Sequence, residues 1–323
     1  MGLTCKSFLV IIIIFLSSRL MGQPVPGEDE NIPFLMTFGK EAKAHWGDDD
    51  FSQTFFFVIP ENYAGAVYIR VYDPDVGGEL DELNQEPNTK TNFSVYGGNL
   101  AYSHKDAQET DPIGEYRSGN LLASKTFGQS ARYDHDWYTF GPFNPFEGEY
   151  VEKYQGYFFK IIAEGIEGDD GNLYRYFLST DMNSNKSIEG AYALTFEYSF
   201  RMHNDPDQVS HIYPFVDDQT ISIKQVNFDW DSDGFIRVVS VARQGDLNKV
   251  SADNEWKETI FDVFEEEKNS SLDIQFIKKR NPVVKNNNVV INVRNQYNEL
   301  LPFNTIPIGG VPTYKPRITV REH

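Results

Sequence analysis

Hydrophobic alternation with a period of two recurs along this chain and restricts it to pleated strands. In AVYIRVYD (66–73), Val67, Ile69 and Val71 fall on one face, and Tyr68, Arg70 and Tyr72 on the other. ALTFEYSF (193–200) and SLDIQFI (271–277) alternate in the same way. FFFVI (55–59), YFFKIIA (157–163), LYRYFLS (173–179), ISIKQVNF (221–228), FIRVVSVA (235–242), NVVINV (288–293) and RITV (317–320) are further runs of strand type, rich in aromatic and β-branched residues. Turn residues separate them at short intervals. The pattern predicts an all-β chain of two antiparallel β-sandwich domains, jelly-roll or Ig-like. Only residues 255–267 tempt a helix assignment, and TIFDVF within them suits a strand equally well.

A polar stretch with two prolines, RMHNDPDQVSHIYPF (201–215), separates two strand-rich halves. The expected domains are 31–203 and 212–323. Within the first, residues 72–155 carry many Gly, Pro and acidic residues and few clear strands, so long loops and a functional surface are expected there.

The chain opens with MGLTCKS, the apolar run FLVIIIIFL and the exit SSRLMG, the plan of a secretory signal over 1–22. The apolar run is too short for an ordered membrane span, and no second run of that length follows. The single cysteine, Cys5, lies inside this leader, so the exported chain is expected to hold no thiol. A small eukaryotic extracellular domain would usually carry disulfides, which favours a bacterial envelope protein. The expected location is the periplasm, with the cell surface or extracellular medium as the alternative. No integral membrane span is expected.

A net charge of -19 repels phosphate backbones and argues against nucleic acid as a partner. It favours divalent cations and basic protein surfaces. The acids gather in loops. FDWDSDGF (228–235) sets Asp229, Asp231 and Asp233 at alternate positions before Gly234. Such a loop offers hard oxygen ligands suited to structural calcium. The twelfth position of an EF-hand would be Ser240, so that motif is excluded, while a smaller calcium loop and a plain acidic hairpin turn both stay open. YDPDVGGELDE (72–82) offers Asp73 and Asp75, EGDDGN (167–172) offers Asp169 and Asp170 at a hairpin tip, and WGDDDFSQ (46–53) adds Asp48, Asp49 and Asp50. Crowded carboxylates repel, and a bound cation relieves the repulsion. Calcium would fix loops here rather than catalyse.

Catalytic signatures are missing. The sequence holds no G-x-S-x-G, H-E-x-x-H, P-loop or strand-borne G-x-G-x-x-G. YDHDWY (133–138) sets His135 between two aspartates, but on a strand its side chain would face away from both. No catalytic residue is assigned and no enzymatic activity is expected. A glycosidase needs only two carboxylates at the right separation, and exposed Trp46, Trp137, Trp230 or Trp256 would suit sugar stacking. A secreted carbohydrate-binding or carbohydrate-hydrolysing β-sandwich is therefore the alternative function.

The leader ending MG-Gln, the acidic aromatic-rich composition and the cysteine-free body resemble envelope β-sandwich proteins of the Bacteroidota. WGDDDFSQTFFFVIP and YIRVYDPDVGGELDE are similar to stretches of the periplasmic plug subunit of the type IX secretion translocon. The resemblance implies a non-catalytic binding or assembly role in protein secretion, with an outer-membrane barrel or other envelope protein as partner.

Overall fold

A computed structural model describes residues 24–109, 115–281 and 287–316. The leader (1–22) and RITV (317–320) lie outside these residues. The chain is all-β, with short 3-10 turns. Strands run in order β1 Pro24–Val25, β2 Phe34–Phe38, β3 Ser52–Pro60, β4 Val67–Tyr72, β5 Lys90–Gly97, β6 Asn120–Phe127, β7 Trp137–Phe143 and β8 Glu149–Val151. They continue with β9 Gly156–Glu167, β10 Gly171–Ser179, β11 Tyr192–Thr195, β12 Glu197–Arg201, β13 Val209–Ile212, β14 Phe215–Val216 and β15 Ser222–Phe228. The last are β16 Gly234–Val239, β17 Asp246–Asn248, β18 Trp256–Asp262, β19 Ser270–Ser271, β20 Asp273–Lys278, β21 Asn288–Asn295 and β22 Phe303–Asn304.

Three sheets carry the architecture. A nine-stranded sheet has the order β18-β15-β21-β12-β2-β10-β4-β7, with β1 added to β10. A seven-stranded sheet has the order β22-β11-β3-β9-β5-β6, with β8 on β9, and a four-stranded sheet the order β13-β20-β16-β17. Every named pairing is antiparallel, as in β3 with β9 and β15 with β21. Both smaller sheets pack on one face of the large one. Tyr198 on β12 meets Phe55 of the seven-stranded sheet edge-on at 5.3 Å, and Phe200 on the same face meets Phe276 of the four-stranded sheet at 5.2 Å. Edge-to-face packing of this kind adds to area burial because the ring edge is positive and its face negative. One apolar cluster therefore runs from Phe93 and Tyr176 through Phe200 to Trp230 and Val238. The nine-stranded sheet crosses the polar stretch 201–215, with β12 from one side of it paired to β21 from the other, so strands of both halves share one sheet.

Within residues 255–267, Trp256–Asp262 form strand β18, paired to β15 along its whole length, and Glu265–Glu267 form a single 3-10 turn. The stretch 72–155, expected to be loop-rich, contains β5, β6, β7 and β8. Their alternation is masked in the sequence. β5 keeps Thr91, Phe93 and Val95 inward, but Ser94 on its other face is buried too. β6 is an edge strand that leaves Leu121 exposed. Both faces of β9 are buried, because Tyr102 and Ala107 cap Phe56 and Phe158 on the outer side.

Candidate cation-binding loops

The FDWDSDGF segment leaves β15 in the nine-stranded sheet and enters β16 in the four-stranded one. It is a corner between sheets, not the hairpin considered from the sequence. Asp229, Asp231 and Ser232 take left-handed backbone angles (φ 50, 45 and 57), a region Asp tolerates better than most residues. The sharp turning is thus carried by these residues. Gly234 has a different duty: a Cβ there would lie 2.1 Å from Trp230 Cη2. Trp230 is fully buried and packs on Phe276 at 5.6 Å, so the corner is pinned by an indole driven between the sheets. Ser251 supports it, its Oγ accepting from Trp230 N at 2.8 Å and its carbonyl from Ser232 N at 2.7 Å.

Carboxylates converge at this corner, but the set differs from the alternate triplet. Asp229, Asp231 and Asp253 bring one oxygen each to within 4.8 Å of one another. Asp233 is buried and stands outside that group. Asp253 comes from the connection between β17 and β18, a partner no local motif reveals. Burial pushes the Asp229 carboxyl up to about 7; a hydrogen bond from Asn254 N opposes the shift, and Asp231 and Asp253 add to it.

A second convergence forms where β4 ends. Asp73, Asp134 and His135 also offer ligand atoms within 4.8 Å of one another. Asp73 has φ 55 and His135 φ 56, and His135 N–H donates to Asp73 Oδ1 at 2.8 Å. Asp73 N in turn donates to the Asp136 carbonyl at 2.9 Å. Asp75 accepts Ser130 N–H on Oδ2 at 3.0 Å, so both acids of the YDPD segment tie the 130–136 turn to β4. Burial raises the Asp73 carboxyl to about 6, helped by Asp75 and Asp134 and opposed by the His135 amide and the His135 charge. Asp75 is raised too, again chiefly by burial. Residues 131–136 form a turn rather than a strand, so His135 does reach its neighbour: Nε2 lies 3.5 Å from Asp134 Oδ1.

The remaining sequence candidates are held by hydrogen bonds. EGDDGN joins β9 to β10, which lie in different sheets, so it too is a corner where a hairpin was expected. Asp170 is fully buried; Oδ1 accepts Asn84 N at 2.8 Å, and Oδ2 accepts Asn88 N at 2.7 Å and Thr89 N at 3.1 Å. Asp169 takes the side-chain amides of Asn84 and Asn88 at 2.7 and 2.8 Å. Asp48 accepts Phe38 N and Phe51 N at 2.8 and 2.9 Å; it groups with Asp49 and Asp50, and burial lifts its carboxyl to about 7. Asp81 takes Gly77 N and Leu173 N at 2.7 and 2.8 Å. Many of the acids thus serve as buried acceptors that staple loops to strands, a use of charge that composition alone does not disclose.

The tryptophans do not gather on one surface. Trp230 is core, Trp46 and Trp137 are half-buried, and Trp256 is 41% exposed.

No family model matches the chain, and no curated protein does. Among solved structures, that of a "putative secreted protein" from Parabacteroides distasonis aligns at 12% identity over 87% of this chain and 97% of that one, with a TM-score of 0.20. The cryo-EM structure of Broad Bean Stain Virus aligns at 10% identity over 96% of this chain and 98% of that one, with a TM-score of 0.23. Superpositions this loose carry no argument about fold or function.

Proposed function

We propose that this chain is an exported bacterial protein that performs no chemistry and works by contact with a larger envelope partner. Its finer form is a periplasmic assembly component, the plug of a type IX secretion translocon docked against an outer-membrane barrel. The observation that carries the contact reading is an edge of the nine-stranded sheet that has no further strand among the described residues. β18 ends the sheet order, and its outward-facing residues alternate Trp256, Glu258, Ile260 and Asp262, all exposed. Trp256 rests on Phe228 with ring centroids 4.9 Å apart, which holds the indole in place, and Ile260 is 67% exposed. An unpaired ladder edge with apolar anchors is a template for an added strand, and the acids between the anchors favour a basic one. The test is recovery of tagged chain from native envelopes. An outer-membrane barrel should co-purify with the parent chain and be lost from Ile260→Lys at unchanged melting temperature. A lone monomer from membrane extracts, or undiminished capture by the variant, overturns the reading.

One feature favours carbohydrate binding as a second reading. A cavity of about 500 Å³ is lined by Trp137, Arg175, Asn185 and His203, with Arg70 stacked over Trp137 at 4.8 Å. A glycan array without hits removes it.

A further inference from the structure

We propose that the loop cluster at the end of β4 is a calcium site built by Asp73, Asp75, Asp134 and Asn172. The contact reading above is not needed for it. Convergent acids alone would be a weak reason, since exposed acidic groups are common. What distinguishes this cluster is a set of buried oxygens that accept no hydrogen bond. Asp73 is 1% exposed and Asp75 2%; each spends one carboxylate oxygen on a backbone amide and leaves Asp73 Oδ2 and Asp75 Oδ1 unpartnered. Asp134 Oδ1 is buried and likewise accepts no hydrogen bond, its near neighbour being the His135 ring. Asn172, fully buried, donates Nδ2 to the Pro74 carbonyl between the two aspartates at 3.0 Å, and its Oδ1 has no partner.

Four buried acceptors around one tripeptide and one turn are costly unless something supplies positive charge. All four unpartnered atoms are oxygen, with the His135 ring the one nitrogen ligand beside them, a set dominated by hard donors that suits a hard cation. Calcium accepts irregular shells of six to eight oxygens, whereas magnesium demands near-octahedral geometry. Gly78 shapes the approach: a Cβ there would lie 2.5 Å from Asp134 Oδ1, so only glycine leaves that oxygen its present position. The other two acidic groups lack this signature. Asp48 spends both oxygens on backbone amides, and no carboxylate oxygen of Asp229, Asp231 or Asp253 is among the buried unpartnered atoms. A bound ion here would join β4, the 130–136 turn and the start of β10.

The test uses the full chain, stripped with EDTA, and CaCl2 as the probe. Saturating calcium should raise the melting temperature by ~5 °C, and titration calorimetry should show binding at this site. Asp73→Asn and Asp134→Asn should each abolish the rise. In EDTA both variants should melt at or above the parent temperature, because each removes one repelling charge. That comparison separates loss of the site from loss of the fold. Asp231→Asn, at the other corner, should keep the full calcium response. A calcium response that survives Asp73→Asn, one lost in Asp231→Asn, or a response to zinc and not to calcium overturns the proposal.

Discussion

Tyr198 and Phe200 stand two residues apart on one face of β12, yet each completes a different sandwich, Tyr198 against Phe55 and Phe200 against Phe276. The same strand pairs with β21 on one side and β2 on the other, so no seam separates the two cores. Unfolding should therefore be a single event. Phe200→Ala should cost ~3–5 kcal/mol, the range for deleting a buried ring. In urea, tryptophan fluorescence and far-ultraviolet circular dichroism should give coincident transitions in parent and variant. Two separated transitions in the parent chain would show that the sandwiches are independent after all.

Glu30 sets a pH dependence. Its carboxylate is wholly buried and accepts Gly27 N at 2.5 Å and Tyr198 Oη–H at 2.8 Å, both on Oε2. Burial raises it from the ordinary 4.5 to about 8, against the pull of those two bonds. The folded chain thus holds a proton that the unfolded chain releases. The stability tied to that proton is fully present below 4.5 and is lost as pH rises through about 8, at up to ~1.4 kcal/mol per pH unit in between. Glu30→Gln keeps an oxygen for both bonds and carries no charge. Its melting temperature should gain on the parent steadily between pH 5 and pH 8; a constant difference across that range would count against the assignment.

Arg243 and Glu267 form a buried ion pair, Nε to Oε1 at 2.8 Å, with side chains 6% and 0% exposed. The guanidinium also lies over Phe261 and Phe264 at 4.8 and 4.5 Å. Removing one partner strands the other charge. Arg243→Met should cost ~3–5 kcal/mol, while the double change Arg243→Met with Glu267→Gln should recover most of it. Urea denaturation of the parent, the single variants Arg243→Met and Glu267→Gln, and the double variant measures the coupling.

Gly234 is fixed by space rather than by backbone angle. Gly234→Ala would press Cβ against the Trp230 ring and against Ile277 O, 2.8 Å away. A loss of ~1–3 kcal/mol is expected from overpacking. An alanine variant as stable as the parent would mean that the indole has room to shift.

Alternation carried the fold class because Val67, Ile69 and Val71, or Tyr198 and Phe200, sit on strands with one clearly apolar side. It failed between residues 90 and 143, where edge strands and doubly buried strands blur the period. Sheet membership was also illegible. FDWDSDGF and EGDDGN have hairpin composition, but tertiary packing takes each across to another sheet, since Trp230 and Asp170 anchor them inward. The candidate sites were half visible. Asp73, Asp75, Asp134, Asn172, Asp229 and Asp231 all stand in short acidic motifs, but which motif meets which, and the arrival of Asp253 beside Asp229, is visible only in the folded chain.

Asp170 shows how a chain whose one cysteine is Cys5 can hold long connections still. A carboxylate that gathers three amides from residues 84–89 does the work of a crosslink without an oxidant. Glu149, taking Tyr102 N at 2.6 Å and Ser103 N at 3.0 Å, repeats the device on the far side of the same sandwich. Stitching of this kind is indifferent to thiols, so the molecule should reach the same shape in reducing and oxidising surroundings.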